Sequence, residues 1–367
     1  MTVISLESDP GRPSPAADAG SAPVRTSVLL VTEHDGLPAL ASVANRPLIA
    51  HVAASLVALG AERTVIVAAP GLVDDIRVGL AGDPACDGVE LLPCSAVGHA
   101  HEFVDVLRAI HAAVGDEPIL LQSAGGLLCE TRESLSDIVT SEPRVVLLTS
   151  RRQGPGPAAR LTDRRLLKLV GGPVRDANVR PTGAVVIGRG VLAQALDIAA
   201  RDTHATGLEL LDAVSAAGVL VESRPATGWH PYSGKVADLL DLNRRVLDDL
   251  EDARPDVEFP GSHLHGRISV HPTATIESAV IRGPVIIGAG ARIIDAYVGP
   301  YTAIGEGVVI EGAEVEHSIL LEGARVMHVG RRLEASVIGR DAHVFRDFAM
   351  PRALRLYVGD NAEVALC

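Results

Sequence analysis

The sequence predicts an α/β sheet domain followed by a parallel β-helix. Up to residue 250, aliphatic strand-like runs alternate with helix-like stretches, which is typical of a layered α/β fold. After residue 262 the helix-like stretches stop, and short steps of aliphatic residues and glycine repeat at a fixed spacing. Of the 367 residues, 47% are hydrophobic but only 2% are aromatic, so we expect an aliphatic core.

A βαβ pattern defines the first domain and predicts a mostly parallel sheet. The predicted strands are 27–31, 63–68, 119–121, 145–148 and 184–187. The predicted helices are 48–59, 73–80, 103–114, 191–200, 208–217 and 236–250. Ligands of such sheets bind beyond the carboxyl ends of the strands, so we expect a site at that edge.

Three series of aliphatic residues, each with a spacing of 17 positions, define the second domain. They are Leu264, Ile281, Val298 and Val315; Val270, Ile287, Ile304, Leu321 and Ile338; and Ile276, Ile293, Ile310, Met327 and Val344. The series interleave at steps of five or six residues, so each coil should hold three short strands with one inward side chain apiece. The first series fails at Arg332, and we expect an irregular coil there.

A charged, proline-containing segment marks the predicted boundary between the domains. The composition changes sharply across it, because no helical pattern follows. The predicted divisions are a disordered tail at 1–24, the α/β domain at 25–250, a linker at 251–262, the β-helix at 263–350 and a C-terminal tail at 351–367.

The acidic balance argues against several classes of partner. The chain has 33 Lys and Arg against 46 Asp and Glu, a net charge of −13, and few aromatic side chains, whereas nucleic-acid binding needs basic patches and stacking faces. No long uncharged apolar run occurs, and residues 1–22 lack the basic and apolar parts of a secretory signal. The four cysteines show no C-x-x-C spacing, which suits reduced thiols. We expect a cytoplasmic protein with neither nucleic-acid nor membrane partners.

Histidines in the β-helix leave two interpretations open. One is an acyl transferase that uses a histidine as its base. The candidate bases are His271, His317, His328 and His343. No long loop interrupts the coils to form an acyl-donor cleft, so a spine that serves subunit assembly is favoured. The H-x-H pairs at 99–101 and 263–265 have the spacing of metal ligands, but no third ligand is evident and no metal site is predicted.

Motifs in both domains resemble a known family. In the second domain they are segments 280–288, 298–302, 316–324, 329–332 and 351–356. In the first they are 43–48, similar to V-A-N-K-P, 208–212, similar to L-E-I-T-D, and 227–235, similar to T-G-W-W-x-D-T-G-K. Together they resemble the long-form glucose-1-phosphate thymidylyltransferases. The resemblance implies a Rossmann-like nucleotidyltransferase domain, a left-handed β-helix of hexapeptide-repeat type and a place in nucleotide-sugar metabolism.

The resemblance also implies a glycine-rich, cationic loop that holds a triphosphate, and the sequence departs from it. After the first predicted strand, residues 32–42 contain no Arg or Lys. Pro38 stands at the family's lysine position, and Glu33 and Asp35 add negative charge. Like charges in a partly desolvated site repel, so we expect this loop to reject a triphosphate.

Both carboxylates that the resemblance implies for magnesium are absent. Gly125 stands where the family's Y-x-G-D-N turn has Asp, and Tyr232 stands where its W-x-D-T-G segment has Asp. Carboxylate oxygens are the protein ligands that suit magnesium. We therefore predict no cofactor, and we name no catalytic residue beyond the degenerate positions Pro38, Gly125 and Tyr232.

Other positions of the implied binding site remain. Gly183 and Glu209 match sugar-site residues, and Gly98 matches the segment beside the base. Each has a structural alternative, because glycine serves tight turns and glutamate can cap a helix. The remaining ligand-binding candidates are Glu33, His34 and Asp35, which follow the first strand, where α/β sheets bind ligands.

The leading hypothesis is a catalytically degenerate sugar-1-phosphate nucleotidyltransferase homologue. It would act as a structural or regulatory partner or bind a sugar-like small molecule. The alternative is an enzyme, either an active thymidylyltransferase-like transferase with rebuilt ligands or one with different chemistry in the same cleft. Because β-helix coils often supply subunit contacts, we expect a homo-oligomer or a hetero-oligomer with an intact family member.

Overall fold

The computed structural model describes residues 24–31, 39–96, 103–130, 135, 138, 140–150, 158–162, 165–170, 180–200 and 207–348. Residues 1–23 of the predicted tail at 1–24 and the whole predicted tail at 351–367 lie outside the described residues. Contacts divide the chain into two units. The first is Met1–Ser42 with Arg46–Leu242, and the second is Val43–Asn45 with Asn243–Cys367.

Thirteen strands and six α-helices are described between residues 26 and 248. The strands are β1 Thr26–Val31, β2 Ser42–Val43, β3 Arg46–Pro47, β4 Arg63–Ala68, β5 Glu90–Pro93, β6 Ile119–Ser123, β7 Gly126–Leu128, β8 Arg144–Ser150, β9 Ala158–Thr162, β10 Arg165–Val170, β11 Arg180–Ile187, β12 Leu220–Pro225 and β13 Trp229–Pro231. The helices are α1 Leu48–Ala58, α2 Val73–Leu80, α3 Phe103–Val114, α4 Val191–Ala199, α5 Gly207–Ala216 and α6 Val236–Asp248.

A nine-stranded sheet forms the centre of the first unit, in the order β5-β4-β1-β6-β11-β8-β12-β10-β9. Strand β1 pairs in parallel with β4 and β6, and β8 pairs in parallel with β12. Strands β10 and β11 run antiparallel to their neighbours. The predicted α/β class is confirmed, with these two strands reversed.

Aliphatic strand residues form the core on one face of this sheet. Val28, Leu121 and Ile187 are buried there, and helices α3, α4 and α5 cover them with Ile110, Leu192 and other aliphatic side chains. The sequence forms these strands because β-branched residues are stiff and pack well on a pleated surface. Among the described helices, none is long and apolar enough to cross a membrane.

The second unit holds three five-stranded parallel sheets, and each coil contributes one strand to each sheet. Their orders are β14-β17-β20-β23-β26, β15-β18-β21-β24-β27 and β16-β19-β22-β25-β28. The strands are β14 His263–His265, β15 Ile268–Val270, β16 Thr275–Glu277, β17 Val280–Arg282, β18 Val285–Ile287, β19 Arg292–Ile294, β20 Tyr297–Val298, β21 Thr302–Ile304, β22 Val309–Glu311, β23 Glu314–Glu316, β24 Ile319–Leu320, β25 Arg325–Met327, β26 Leu333–Glu334, β27 Val337–Ile338 and β28 His343–Phe345. The arrangement is consistent with the predicted left-handed β-helix.

The inward columns of the β-helix follow the predicted spacing and then shift by one residue. Ile304 pairs with Leu320, not with Leu321. Val326 in turn stands beside Ile310, where the sequence predicted Met327. Both replacements are fully buried, so the predicted inward positions Leu321 and Met327 were wrong. The coil is one residue shorter here, and the next coil is longer by the same amount, which returns Ile338 to its column.

The coil is irregular at Arg332, as expected, because the step from Val315 to its partner is 18 residues, but the first column does not end there. Val315 pairs with Leu333, which packs against the β-helix core. Arg332 instead points outward and forms ion pairs with Glu314 at 3.1 Å and Glu316 at 2.8 Å. The column therefore continues, displaced by one residue.

A short N-terminal segment belongs to the second unit. The Asn45 side chain donates a hydrogen bond to the Ile304 carbonyl oxygen at 2.7 Å. Buried Asn243 accepts a bond from the Ala44 amide at 2.9 Å and donates one to the Tyr301 carbonyl at 3.0 Å. Asn45 has φ of 62°, a left-handed conformation that asparagine tolerates better than most residues. These bonds give the 43–48 motif a structural role.

We expect Leu320→Ala to destabilise the β-helix much more than Leu321→Ala. Leu320 is fully buried, so its truncation leaves a cavity and should cost about 2–5 kcal/mol of unfolding free energy. Leu321 is only partly buried, and its truncation should cost less than about 1.5 kcal/mol. Urea unfolding followed by circular dichroism measures both. Equal losses for the two variants would contradict the shifted register.

Candidate functional site

The candidate site lies at the edge of the first unit's sheet where β1 and β6 end. The two strands run in parallel, and the Ala124 amide donates a hydrogen bond to the Leu30 carbonyl at 2.9 Å, which brings their ends together. Antiparallel β11 passes the same edge beside β6. The sheet thus places the degenerate position Gly125 and the ligand-binding candidate Gly183 at one edge.

Gly183 allows two strands to approach closely. A Cβ atom at this position would lie 2.1 Å from Ser123 Oγ and 3.5 Å from Trp229 Cη2. At 2.1 Å the Ser123 hydroxyl would have to rotate away before a side chain could be placed here, so glycine suits this packing. The ligand role of Gly183 stays a prediction. The close contact with Ser123 is a structural reason for glycine at this position.

Trp229, the only tryptophan of the chain, covers a second glycine. Strand β13 pairs antiparallel with β7, and Pro231 lies opposite Gly126. A Cβ atom at Gly126 would lie 2.6 Å from Trp229 Cζ2 and 2.8 Å from the His230 carbonyl oxygen. The indole is 8% exposed. Trp229 therefore lies against Gly126 and near Gly183, and together they form one wall of the site.

The two positions that the resemblance assigns to metal carboxylates are neighbours in space. The Tyr232 amide donates a hydrogen bond to the Gly125 carbonyl oxygen at 2.9 Å. Burial raises the pKa of the Tyr232 phenol, and the Asp238 carboxylate raises it further. A tyrosine with a raised pKa stays a neutral phenol at physiological pH, and glycine offers no side-chain oxygen at all.

These residues do not fit a magnesium ion. Among the described residues, no group of three or more His, Cys, Asp or Glu side chains could hold a metal. The nearby carboxylates have other partners: Glu130 accepts from the Gly228 amide at 2.8 Å, and Asp238 accepts from the Ser233 amide at 3.0 Å. The His263 and His265 rings stack with centroids 6.4 Å apart, with no third ligand among the described residues.

Gln122 and Ser123 are site residues that the sequence analysis missed. Gln122 is completely buried, and its Nε2 donates to the Gly126 carbonyl at 3.1 Å. Its Oε1 has no partner among the described residues. Buried polar groups without partners are costly, so this one marks a tightly constrained turn. The consecutive glycines 125 and 126 were the only sequence signal for it.

The remaining candidates are less constrained by the structure. Glu209 is exposed in the first turn of α5. A carboxylate at this position is stabilised by the positive end of the helix dipole. Glu33, His34, Asp35, Pro38 and Gly98 lie outside the described residues. In the β-helix, His271, His328 and His343 are exposed, and His317 contacts the edge of the Tyr301 ring.

Gly126→Ala should disturb the Trp229 wall. The added methyl group would overlap the indole, so we expect a loss of about 1–3 kcal/mol in unfolding free energy from overpacking, with a red shift of tryptophan emission. Gly71→Ala is the matched control, because a Cβ atom there meets nothing within 4 Å. Fluorescence-monitored unfolding measures both variants. If the Gly126 variant keeps the emission and stability of the control, the close contact is refuted.

Comparison with known proteins supports the resemblance. No protein-family model matches the chain. It is 40% identical over 162 residues to a glucose-1-phosphate thymidylyltransferase of Streptomyces griseus, and 38% identical over 149 residues to one of Streptomyces antibioticus. These matches cover 43% and 41% of the chain and 45% and 42% of the relatives, so the chain matches less than half the length of either relative.

Two further similarities extend over more of the fold. A low-salt glycan biosynthesis nucleotidyltransferase of Haloferax volcanii is 27% identical over 354 residues, covering 91% of the chain and 95% of the relative. A solved structure from Bacillus anthracis, assigned as a glucose-1-phosphate thymidylyltransferase and bound to sucrose, superimposes with a TM-score of 0.52. It is 15% identical and covers 62% of this chain and 97% of its own, which shows the fold alone. The chain is therefore a homologue of the sugar-1-phosphate nucleotidyltransferases.

Proposed function

We propose that this chain is a sugar-1-phosphate nucleotidyltransferase homologue that does not catalyse nucleotidyl transfer. The observation that carries the proposal is the pairing of Gly125 with Tyr232 through a 2.9 Å backbone hydrogen bond. The fold keeps together the two positions at which the resemblance implies metal carboxylates, and neither carries one. In such enzymes the metal and cations stabilise the transferring phosphoryl charge, and losing even one such contact slows catalysis by about 10²–10³-fold.

The sequence before the site supports the same proposal. The segment 32–42 carries Glu33 and Asp35 and has no Lys or Arg, where the resemblance implies a cationic triphosphate loop. A triphosphate would therefore meet two negative charges instead of the cations that its binding requires. Losses at three separate parts of the machinery are harder to reconcile with altered specificity than any single substitution.

The binding part of the proposal concerns a sugar-like small molecule. Gly183 and Glu209 match sugar-site positions, and the neutral Tyr232 phenol and the Ser123 hydroxyl supply hydrogen-bonding groups of the kind that hydroxylated ligands need. A partner role rests on the β-helix, whose outward faces could contact copies of this chain or an intact homologue. Neither role requires catalysis.

The purified chain should release no pyrophosphate above background. It would be mixed with glucose 1-phosphate, magnesium and each nucleoside triphosphate in turn, and phosphate would be measured after coupled pyrophosphatase treatment. The Streptomyces griseus relative, treated identically, is the positive control. Sustained release that scales with the concentration of this chain would overturn the loss of nucleotidyl transfer.

Glucose 1-phosphate without nucleotide should raise the melting temperature if the sugar-like ligand is of this class. A free glucose 1-phosphate concentration of about 100 times its Kd would add about 2.7 kcal/mol to the apparent free energy of unfolding. Glu209→Gln should remove most of the shift, whereas Asp212→Asn, which changes another exposed carboxylate of α5, should keep it. Differential scanning fluorimetry measures all three proteins. Equal shifts in both variants would remove Glu209 from the site.

A further inference from the structure

A cavity of about 240 Å³ lies between the sheet and the helices of the first unit. Strands β6, β8 and β11 form its floor, and helices α3, α4 and α5 form its walls. Protein interiors are close-packed, with few voids larger than a water molecule. An opening of this size is therefore a feature that needs an occupant or an explanation.

None of the described residues that line the cavity has a hydrogen-bonding side chain. All fifteen described lining residues are aliphatic, Phe, Pro or Gly. A water molecule inside would find none of the two to four polar partners that it needs, so ordered water does not account for the space. A sugar phosphate is excluded for the same reason, and the occupant must be chemically different from the ligand proposed above.

The sheet exposes apolar surface to this cavity. Val185 lies on β11, which is hydrogen-bonded on both sides, yet its side chain is only partly buried, and it lines the cavity. Phe103, the first residue of α3, and Leu211, in the middle of α5, are also partly exposed. A central strand residue is normally covered completely. An apolar ligand in the cavity would cover these partly exposed apolar side chains.

We propose that this cavity binds an uncharged hydrocarbon group of roughly ten carbon atoms. The size follows from scaling, because an apolar cavity of about 150 Å³ takes the six carbons of benzene. An apolar group that covers this lining removes apolar surface from water, which favours filling the cavity. The ligand could be a ring system or an alkyl chain, since both present the same apolar surface.

Two probes distinguish these sources. Naphthalene represents a compact ring system, and 1-decanol represents a chain of the same carbon number. Isothermal titration of the full chain should give saturable binding of one molecule per chain for at least one probe. The probe that binds identifies the shape, and binding of both means that the cavity is adaptable. No saturable binding of either probe overturns the proposal.

A matched pair of variants on helix α4 tests the location. Ala195 lines the cavity, so Ala195→Leu should fill part of it and weaken binding at least about tenfold. Ala193 does not line it, and Ala193→Leu should bind within about twofold of the original chain because it adds the same side chain elsewhere on the helix. Binding that is equally strong in both variants would place the probe elsewhere and overturn the proposal.

A second filling variant keeps the test valid if Ala195→Leu does not fold. Val185→Leu enlarges the residue whose exposed surface faces the cavity, and it should also weaken binding by about tenfold. Far-ultraviolet circular dichroism confirms the fold of each variant before titration. A well-folded Val185 variant with unchanged affinity would contradict the assignment.

Discussion

The site edge of the first unit depends on the close contact between the Trp229 indole and Gly126, which has no side chain. A Cβ atom at Gly126 would lie 2.6 Å from the indole, whereas one at Gly183 would meet the Ser123 hydroxyl, and the two glycines come from strands that are far apart in sequence. The contact between Trp229 and Gly126 adds to the pairing of β13 with β7. It also fixes the turn that carries Gly125 and the segment that carries Tyr232, whatever side chains those two positions have. The geometry of the edge therefore does not depend on catalytic residues, and the fold can persist without them.

The β-helix depends on inward aliphatic residues at a regular spacing, and most of these residues could be predicted from the sequence. The columns through Ile287 and Ile293 were predictable from spacing alone. The expectation of one inward side chain per strand was wrong on one face, because β18 buries both Val285 and Ile287 in the core. The shift at Leu320 was not, because Leu320 and Leu321 are both aliphatic and only pairing with the neighbouring coil decides which one turns inward. An outward Arg332 was mistaken for a break in the column, although Leu333 continues it.

The site was predicted less completely, for a related reason. Motifs locate residues along the chain but do not show which backbone groups meet. The bond between Gly125 and Tyr232, and the close approach of Gly183 to Ser123, join residues separated by long stretches of sequence. Sequence reasoning found Gly125, Gly183 and Tyr232 through the resemblance. It missed Gln122 and Ser123, which carry no motif and gain their importance only from burial and contact.

The sheet of the first unit brings two different chemistries together. On β6, Leu121 lines the apolar cavity, and Ser123, two residues further on, meets Gly183 at the site edge. On β11 the same relation holds for Val185 and Gly183. Residues two apart on a strand point to the same face of the sheet. The cavity and the site edge therefore lie on the same face of β6 and β11. An apolar occupant would restrain the strands that shape the polar edge. Since no described lining residue has a polar side chain, this occupant could do so without competing for a sugar-like ligand.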